Sequence, residues 1–133
     1  MKAIFFATLL AVSPACASDV DTLLNEAARR HNIPPEIIRA VAHIESTKRC
    51  GLKDGPHRGI MQVSRATAKE VGYPWPFKNC FEEIEAGAIY LRKALDRGGE
   101  DCDGISLYNT GTYAKPRCTA YGRKVIAAMR RGV

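Results

Sequence analysis

The chain has 133 residues, 46% of them hydrophobic and 26% charged, which suits one compact core and not two. Its 20 Lys/Arg against 14 Asp/Glu give a formal net charge of +6 at pH 7, an excess that suits a polyanionic partner. The charges are dispersed, no internal repeat or low-complexity tract occurs, and no apolar stretch after Val12 approaches the roughly 20 residues that span a bilayer. A repeat array and a chain with several membrane spans are thereby excluded.

At the N-terminus, Lys2 precedes an apolar run from Ala3 to Val12, and Ala15-Cys16-Ala17 forms a small-x-small exit. These features match a secretory signal peptide. Residues 1–17 are therefore expected to be removed, leaving 18–133 as a single exported domain, periplasmic or secreted. The run is too short to span a hydrocarbon core of about 30 Å, and Ser13 is not the aliphatic residue that precedes a lipidated cysteine. Loss of Lys2 leaves 19 basic against 14 acidic residues, a charge of about +5. In that setting dispersed Lys/Arg meet an anionic cell wall or membrane surface before nucleic acid, so no nucleic-acid partner is expected. Solubility explains the charge equally well.

Removal of Cys16 leaves Cys50, Cys80, Cys102 and Cys118, an even set in an oxidising compartment, and two disulfides follow. Sequence does not choose among three connectivities; pairing 50 with 80 and 102 with 118 is favoured, each closing a loop between helices. Spacings of 30, 22 and 16 residues contain no close C-x2-C knuckle of a zinc site.

Ser18-Asp19 reads as a helix cap, followed by Val20, Leu23, Leu24, Ala27 and Ala28 at amphipathic spacing. That helix is expected to stop near Asn32, because Pro34 and Pro35 disfavour helix before them and start the next one well. The second helix carries Ile37, Ile38, Val41, Ala42, Ile44 and Glu45. A polar loop from Cys50 to Gly59 leads through Ile60-Met61-Gln62-Val63 to a short capped helix over Ser64 to Val71. After an aromatic turn from Tyr73 to Phe77, Asn79 and Glu82 form a capping box. It opens a helix whose apolar face is Phe81, Ile84, Ala88, Leu91 and Leu95, ended by Gly98-Gly99. Asp103 to Tyr108 reads as a short helix running into Asn109-Thr110-Gly111. Thr119 to Arg131 reads as the last, with Tyr121, Val125, Ala128 and Met129 inward. No strand pair stands out. The expectation is an all-α fold of five to six helices around one core.

Glu45 draws attention because Ile37, Val41 and Ile44 mark the centre of a buried stripe, while Ile38, Ala42 and Glu45 continue along its edge. A partly buried carboxylate without an adjacent cation has a raised pKa, as a general acid near neutral pH requires. The alternative is an ordinary helix-end ion pair with Lys48 or Arg49. Gly59-Ile60-Met61-Gln62 follows a loop long enough to fold back over this helix, although Met61 also suits the core. Tyr108 and Asn109 are residue types that stack on and hydrogen-bond to sugars, but asparagine also ends helices. A buried Tyr121 needs a hydroxyl partner, and Glu45 is one candidate. His31, His43 and His57 show no metal-ligand spacing.

Together these segments resemble the SLT-type lytic transglycosylases, a goose-lysozyme-like family, particularly its small members that accompany secretion and conjugation machineries. The Glu-Ser pair of that family is matched by Glu45-Ser46, its Gly-Leu-Met-Gln by Gly59-Ile60-Met61-Gln62, and its Ala-Tyr-Asn-x-Gly by Leu107-Tyr108-Asn109-Thr110-Gly111, in the same order and at similar spacing. Tyr121 before Lys124-Val125 and Ala66-Thr67-Ala68 after the glutamine are also similar. Ile60 stands for leucine, Arg65 for a common proline, and Leu107 for alanine, the one departure expected to reshape the cleft. The cysteine-bearing loop before Gly59 lacks the common Gly-Ala-x-Gly lead-in.

The resemblance implies a monomeric enzyme that cleaves peptidoglycan glycan strands between N-acetylmuramic acid and N-acetylglucosamine without metal or cofactor, leaving 1,6-anhydro ends. Glu45 would act as acid and then base, with Ser46 and Tyr121 orienting it. Gln62, Tyr108 and Asn109 would contact the glycan above a cleft floor lined by Met61. A secretion or conjugation apparatus is the implied partner. The competing readings are a hydrolytic lysozyme on the same fold, with Asp54 among the nearest acids to the motifs, and a wall-binding factor without activity.

Overall fold

The computed structural model describes residues 20–133; the expected leader, its exit at Ala17 and the Ser18-Asp19 cap lie outside them. Among the described residues are six helices and three two-residue strands. Helix α1 (Val20–Arg30) and helix α2 (Pro35–Ser46) meet at a turn where Asn32 is left-handed and the Ile33 amide donates to the Ala28 carbonyl (2.8 Å). Pro35 opens α2, where a missing amide hydrogen costs nothing. No helix among these residues is long and apolar enough to cross a membrane.

The loop after α2 holds an antiparallel sheet of β1 (Lys53–Asp54), β2 (His57–Arg58) and β3 (Val63–Ser64), in that order. Lys53 faces Arg58 and Asp54 faces His57 across the first pair. The all-α reading missed this sheet because two-residue strands carry no detectable alternation. Helix α3 (Arg65–Glu70) starts at Ser64, whose Oγ accepts the Thr67 amide (3.1 Å). Helix α4 (Cys80–Gly98) starts at Asn79, whose Oδ1 accepts the Glu82 amide (3.0 Å), while the Glu82 carboxylate accepts the Lys78 amide (2.7 Å).

Helices α5 (Cys102–Thr110) and α6 (Ala120–Arg130) complete the bundle; α4 packs on α1 and α5, and α6 on α2 and α5. Leu24, Ile38, Val41, Ile84, Leu91, Ile105 and Val125 form the centre of the core. Two expectations shift. Phe81 is 48% exposed under the Arg30 guanidinium instead of lying on the buried face of α4. The buried stripe of α2 runs through Ile37, Ile38, Val41 and Ala42 as expected, with Ile44 only partly covered.

Disulfides join Cys50 to Cys80 and Cys102 to Cys118, the favoured pairing. The second fixes the entry to α6. Gly122 in that helix lies so close to α5 that a Cβ would stand 2.2 Å from Ser106 Oγ. Replacing Cys102 and Cys118 together by serine frees a closed segment of 16 residues and is expected to lower the unfolding free energy by about 3 kcal/mol. Urea denaturation reads this; a change within about 0.5 kcal/mol would mean that packing alone holds the α5–α6 crossing.

Candidate active site

Glu45 is the last residue but one of α2, and the chain reverses just after the helix. Thr47 and Lys48 are both left-handed (φ 54° and 58°), with their amides bonded to the His43 and Ala42 carbonyls at 2.8 and 3.1 Å. Such backbone is costly for non-glycine residues, and side-chain contacts hold it. Lys48 Nζ pairs with Asp21 on α1 at 2.6 Å, and Arg49 Nε donates to the Ser46 carbonyl at 2.9 Å. Both cations that could have neutralised Glu45 are thus turned elsewhere.

What Glu45 does meet is Tyr121, whose hydroxyl donates to Oε1 at 2.7 Å. Burial raises the Glu45 pKa above its ordinary 4.5, opposed by the Tyr121 hydrogen bond and the charge of His57. Desolvation outweighs both. The same burial, with Glu45 nearby, pushes the Tyr108 and Tyr121 phenols well above their usual range, so both act as donors.

The Gly59–Gln62 loop faces this carboxylate and is clamped from three elements. Ser46 Oγ donates to the Ile60 carbonyl (2.7 Å), and Tyr108 of α5 donates to the Met61 carbonyl (2.6 Å). From beneath, the buried Glu83 carboxylate of α4 accepts the Ile60 amide (2.9 Å) and the Gly51 amide (3.1 Å). Gly59 is left-handed (φ 82°), and a Cβ there would stand 2.4 Å from Glu83 Cδ. Only glycine fits that place. Gln62 folds its amide nitrogen back onto the Gly59 and Leu52 carbonyls (2.9 and 3.2 Å).

Glu45 opens into a cavity of about 170 Å³ shared with Asp54, His57, Gln62, Tyr108 and Asn109. It adjoins a smaller one of about 100 Å³ that reaches Thr67 and Tyr90 past the same Gln62, Tyr108 and Asn109. The sequence motifs therefore converge, with three adjustments. Met61 is fully buried, packed where Gly87 of α4 lets it approach, and lies beneath the cleft instead of lining its floor. Ser46 holds the loop and makes no bond to Glu45. Leu107 is fully buried at the α4–α5 crossing beside Gly98 and lines neither cavity, so its size does not reshape the cleft.

Sequence reasoning missed Glu83, Tyr90 and the place of the exposed His57 beside the Glu45 cavity. Tyr90 packs edge-on against Tyr108, with ring centroids 5.3 Å apart. Glu83 follows the Asn79–Glu82 cap and reads as one more first-turn acid; its burial could have been suspected from Ile84, Gly87 and Ala88 beside it. One grouping of metal-ligand types is within reach among the described residues, Cys50, Cys80 and Glu83, and its sulfurs are joined in the disulfide.

Glu83→Ala strands two amides and is expected to cost about 3 kcal/mol, at about 1–3 kcal/mol for each buried unpaired group. Glu83→Gln keeps an acceptor and should recover part of this. Urea melts, with hydrogen exchange at the Ile60 amide, test both. For Glu45 the raised folded pKa means that its contribution to stability is complete below pH 4.5 and is lost as pH rises through the folded value. Glu45→Gln cannot ionise, so it should match wild type in acid and exceed it in stability at neutral pH. Denaturation of both proteins across that interval would refute the assignment if the difference were independent of pH.

Residues 22–126 match the family model described as the transglycosylase SLT domain. A protein named transglycosylase from Enterobacteria phage PRD1 is 30% identical over 90 residues, 67% of this chain and 34% of the phage protein. The chain thus spans about a third of that relative's length. Its own helices, disulfides and motif residues lie within an α-rich bundle of the lysozyme-like kind. The matched segment runs from α1 into α6 and takes in every residue around Glu45, and the chain belongs to the SLT transglycosylase family.

Proposed function

We propose that this protein is a lytic transglycosylase that cleaves the β-1,4 bond between N-acetylmuramic acid and N-acetylglucosamine in peptidoglycan. The observation that carries this reading is the Tyr121–Glu45 hydrogen bond at 2.7 Å, which fixes one oxygen of a partly desolvated carboxyl in a residue that lines the cleft. Protonated Glu45 delivers its proton to the glycosidic oxygen as the C1–O bond breaks. The acetamido carbonyl of the muramyl residue covers the developing positive charge at C1. Glu45, now ionised, takes the proton of the muramyl C6 hydroxyl, whose oxygen closes onto C1. The 1,6-anhydro ring forms, no water is consumed and Glu45 is again protonated. One carboxyl suffices for both transfers. Gln62, Tyr108 and Asn109, which line the same cavity as Glu45, are the residues this reading assigns to glycan contact.

Asp54 shares the cavity with Glu45, and this favours a second reading. Glycosidases that use water employ paired carboxyl groups, so Asp54 would activate water for hydrolysis. Products separate the two, since hydrolysis gives reducing ends heavier by one water than anhydro ends. Digested sacculi are expected to yield anhydro ends. Glu45→Gln should lower turnover about a hundredfold or more, as for loss of a general acid. Asp54→Asn should leave turnover within a few-fold. Reducing ends, together with a collapse of turnover in Asp54→Asn, would establish the hydrolytic reading. The two disulfides suit an oxidising compartment, in keeping with an exported enzyme that opens the wall locally, for example for a secretion or conjugation apparatus.

A further inference from the structure

A concavity of about 480 Å³ lies apart from the one that holds Glu45. It lies on the other side of the β1–β2 hairpin. In that hairpin Lys53 pairs with Arg58 and Asp54 with His57, and side chains of successive residues point to opposite faces. Asp54 and His57 accordingly border the Glu45 cavity, while Lys53 and Arg58 border the larger pocket. Lys78 and Phe77 close its far side, just before α4.

The charge of this pocket is unbalanced. Lys53, Arg58 and Lys78 make no ion pair among the described residues, whereas Arg30, Lys48, Arg92 and Lys93 all do. The carboxylate in its lining, Glu83, already accepts the Gly51 and Ile60 amides. Arg58 is held by the Gly55 and His57 carbonyls, which fixes its guanidinium without neutralising it. Phe77 is steadied by Trp75, edge-on at 5.1 Å. Three cations against the single carboxylate of Glu83, set beside an apolar ring, leave an excess of positive charge that suits an extended chain carrying several carboxylates.

We propose that this pocket binds the carboxylate-bearing stem peptide of the glycan strand being cut, so that the hairpin separates the sugar site on one face from a peptide site on the other. The inference rests on peptidoglycan being the substrate. Reach is sufficient: crossing a sheet takes about 10 Å, and three extended residues span about 10 Å. The exposed turn at Gly55 and Pro56 leaves the path open. A glycan in the Glu45 cavity is thereby read together with its stem.

Nuclear magnetic resonance titration of the wild-type chain with a free synthetic stem peptide tests the site without requiring catalysis. Saturable shifts at Gly51, Phe77 and Asn79 are expected, about tenfold weaker binding in the Lys53→Gln/Lys78→Gln protein, and none with the carboxyl-amidated peptide. Arg58 is left intact because it ties the turn. Inorganic phosphate binding as tightly as the peptide would reduce the pocket to an unselective anion site and overturn the proposal, as would shifts confined to the Glu45 cavity. In a second arm, the double variant should raise KM about tenfold on peptide-bearing strands and leave amidase-stripped strands unchanged; equal loss on both would also overturn it. If neither strand were cleaved by wild type, the transglycosylase reading would fail, while the peptide titration would still decide the pocket.

Discussion

The backbone between Gly59 and Gln62 is buried, yet belongs to no helix or strand, so its amides and carbonyls need partners from elsewhere or cost about 1–3 kcal/mol each. Glu83, Ser46 and Tyr108 supply them from α4, α2 and α5. The rest of the site depends on this. The same bonds that satisfy the loop set the distance between the end of α2 and the start of α4, and they hold Gln62 at the rim of the Glu45 cavity. The Cys50–Cys80 disulfide adds a covalent tie beside Glu83, bringing the Gly51 amide within reach of the same carboxylate.

The electrostatics of Glu45 follow from what the fold keeps away from it. The chain carries a formal charge of +6, and two of its cations follow Glu45 within four residues. The left-handed turn at Thr47 and Lys48 sends Lys48 to Asp21 and Arg49 back to Ser46. A carboxyl in a basic protein is thus left with the Tyr121 phenol as its hydrogen-bond partner and main opposing influence, and with His57 as a lesser one. Burial then dominates its pKa, because hydrogen bonding to one oxygen does not replace the lost solvation of a charge.

A hairpin of four paired residues divides two chemically distinct surfaces. Its register places an acid and a histidine toward one cavity and a lysine and an arginine toward another. A slip of one residue would exchange them. The register is pinned by Val63–Ser64 on the neighbouring strand and by the Gly59 amide, which donates to the Leu52 carbonyl at 2.7 Å.

The sequence by itself determined the helices, the caps at Ser64 and Asn79, and Glu45 as the carboxyl of interest. Each of these rests on local spacing, such as Asn79 before Glu82 or Ile38, Ala42 and Glu45 along one edge. Only the tertiary structure decided that Tyr121 reaches Glu45, that Met61 and Leu107 lie beneath the cleft surface, and that Ser46 holds the loop. It also revealed Glu83 and set the exposed Asp54 and His57 at the Glu45 cavity. Those features arise from contacts between residues 14 to 76 positions apart, such as Ser46 with Ile60 and Glu45 with Tyr121. No periodicity along a single helix encodes such contacts, because they are fixed by how closely glycines such as Gly59 and Gly122 let separate elements approach.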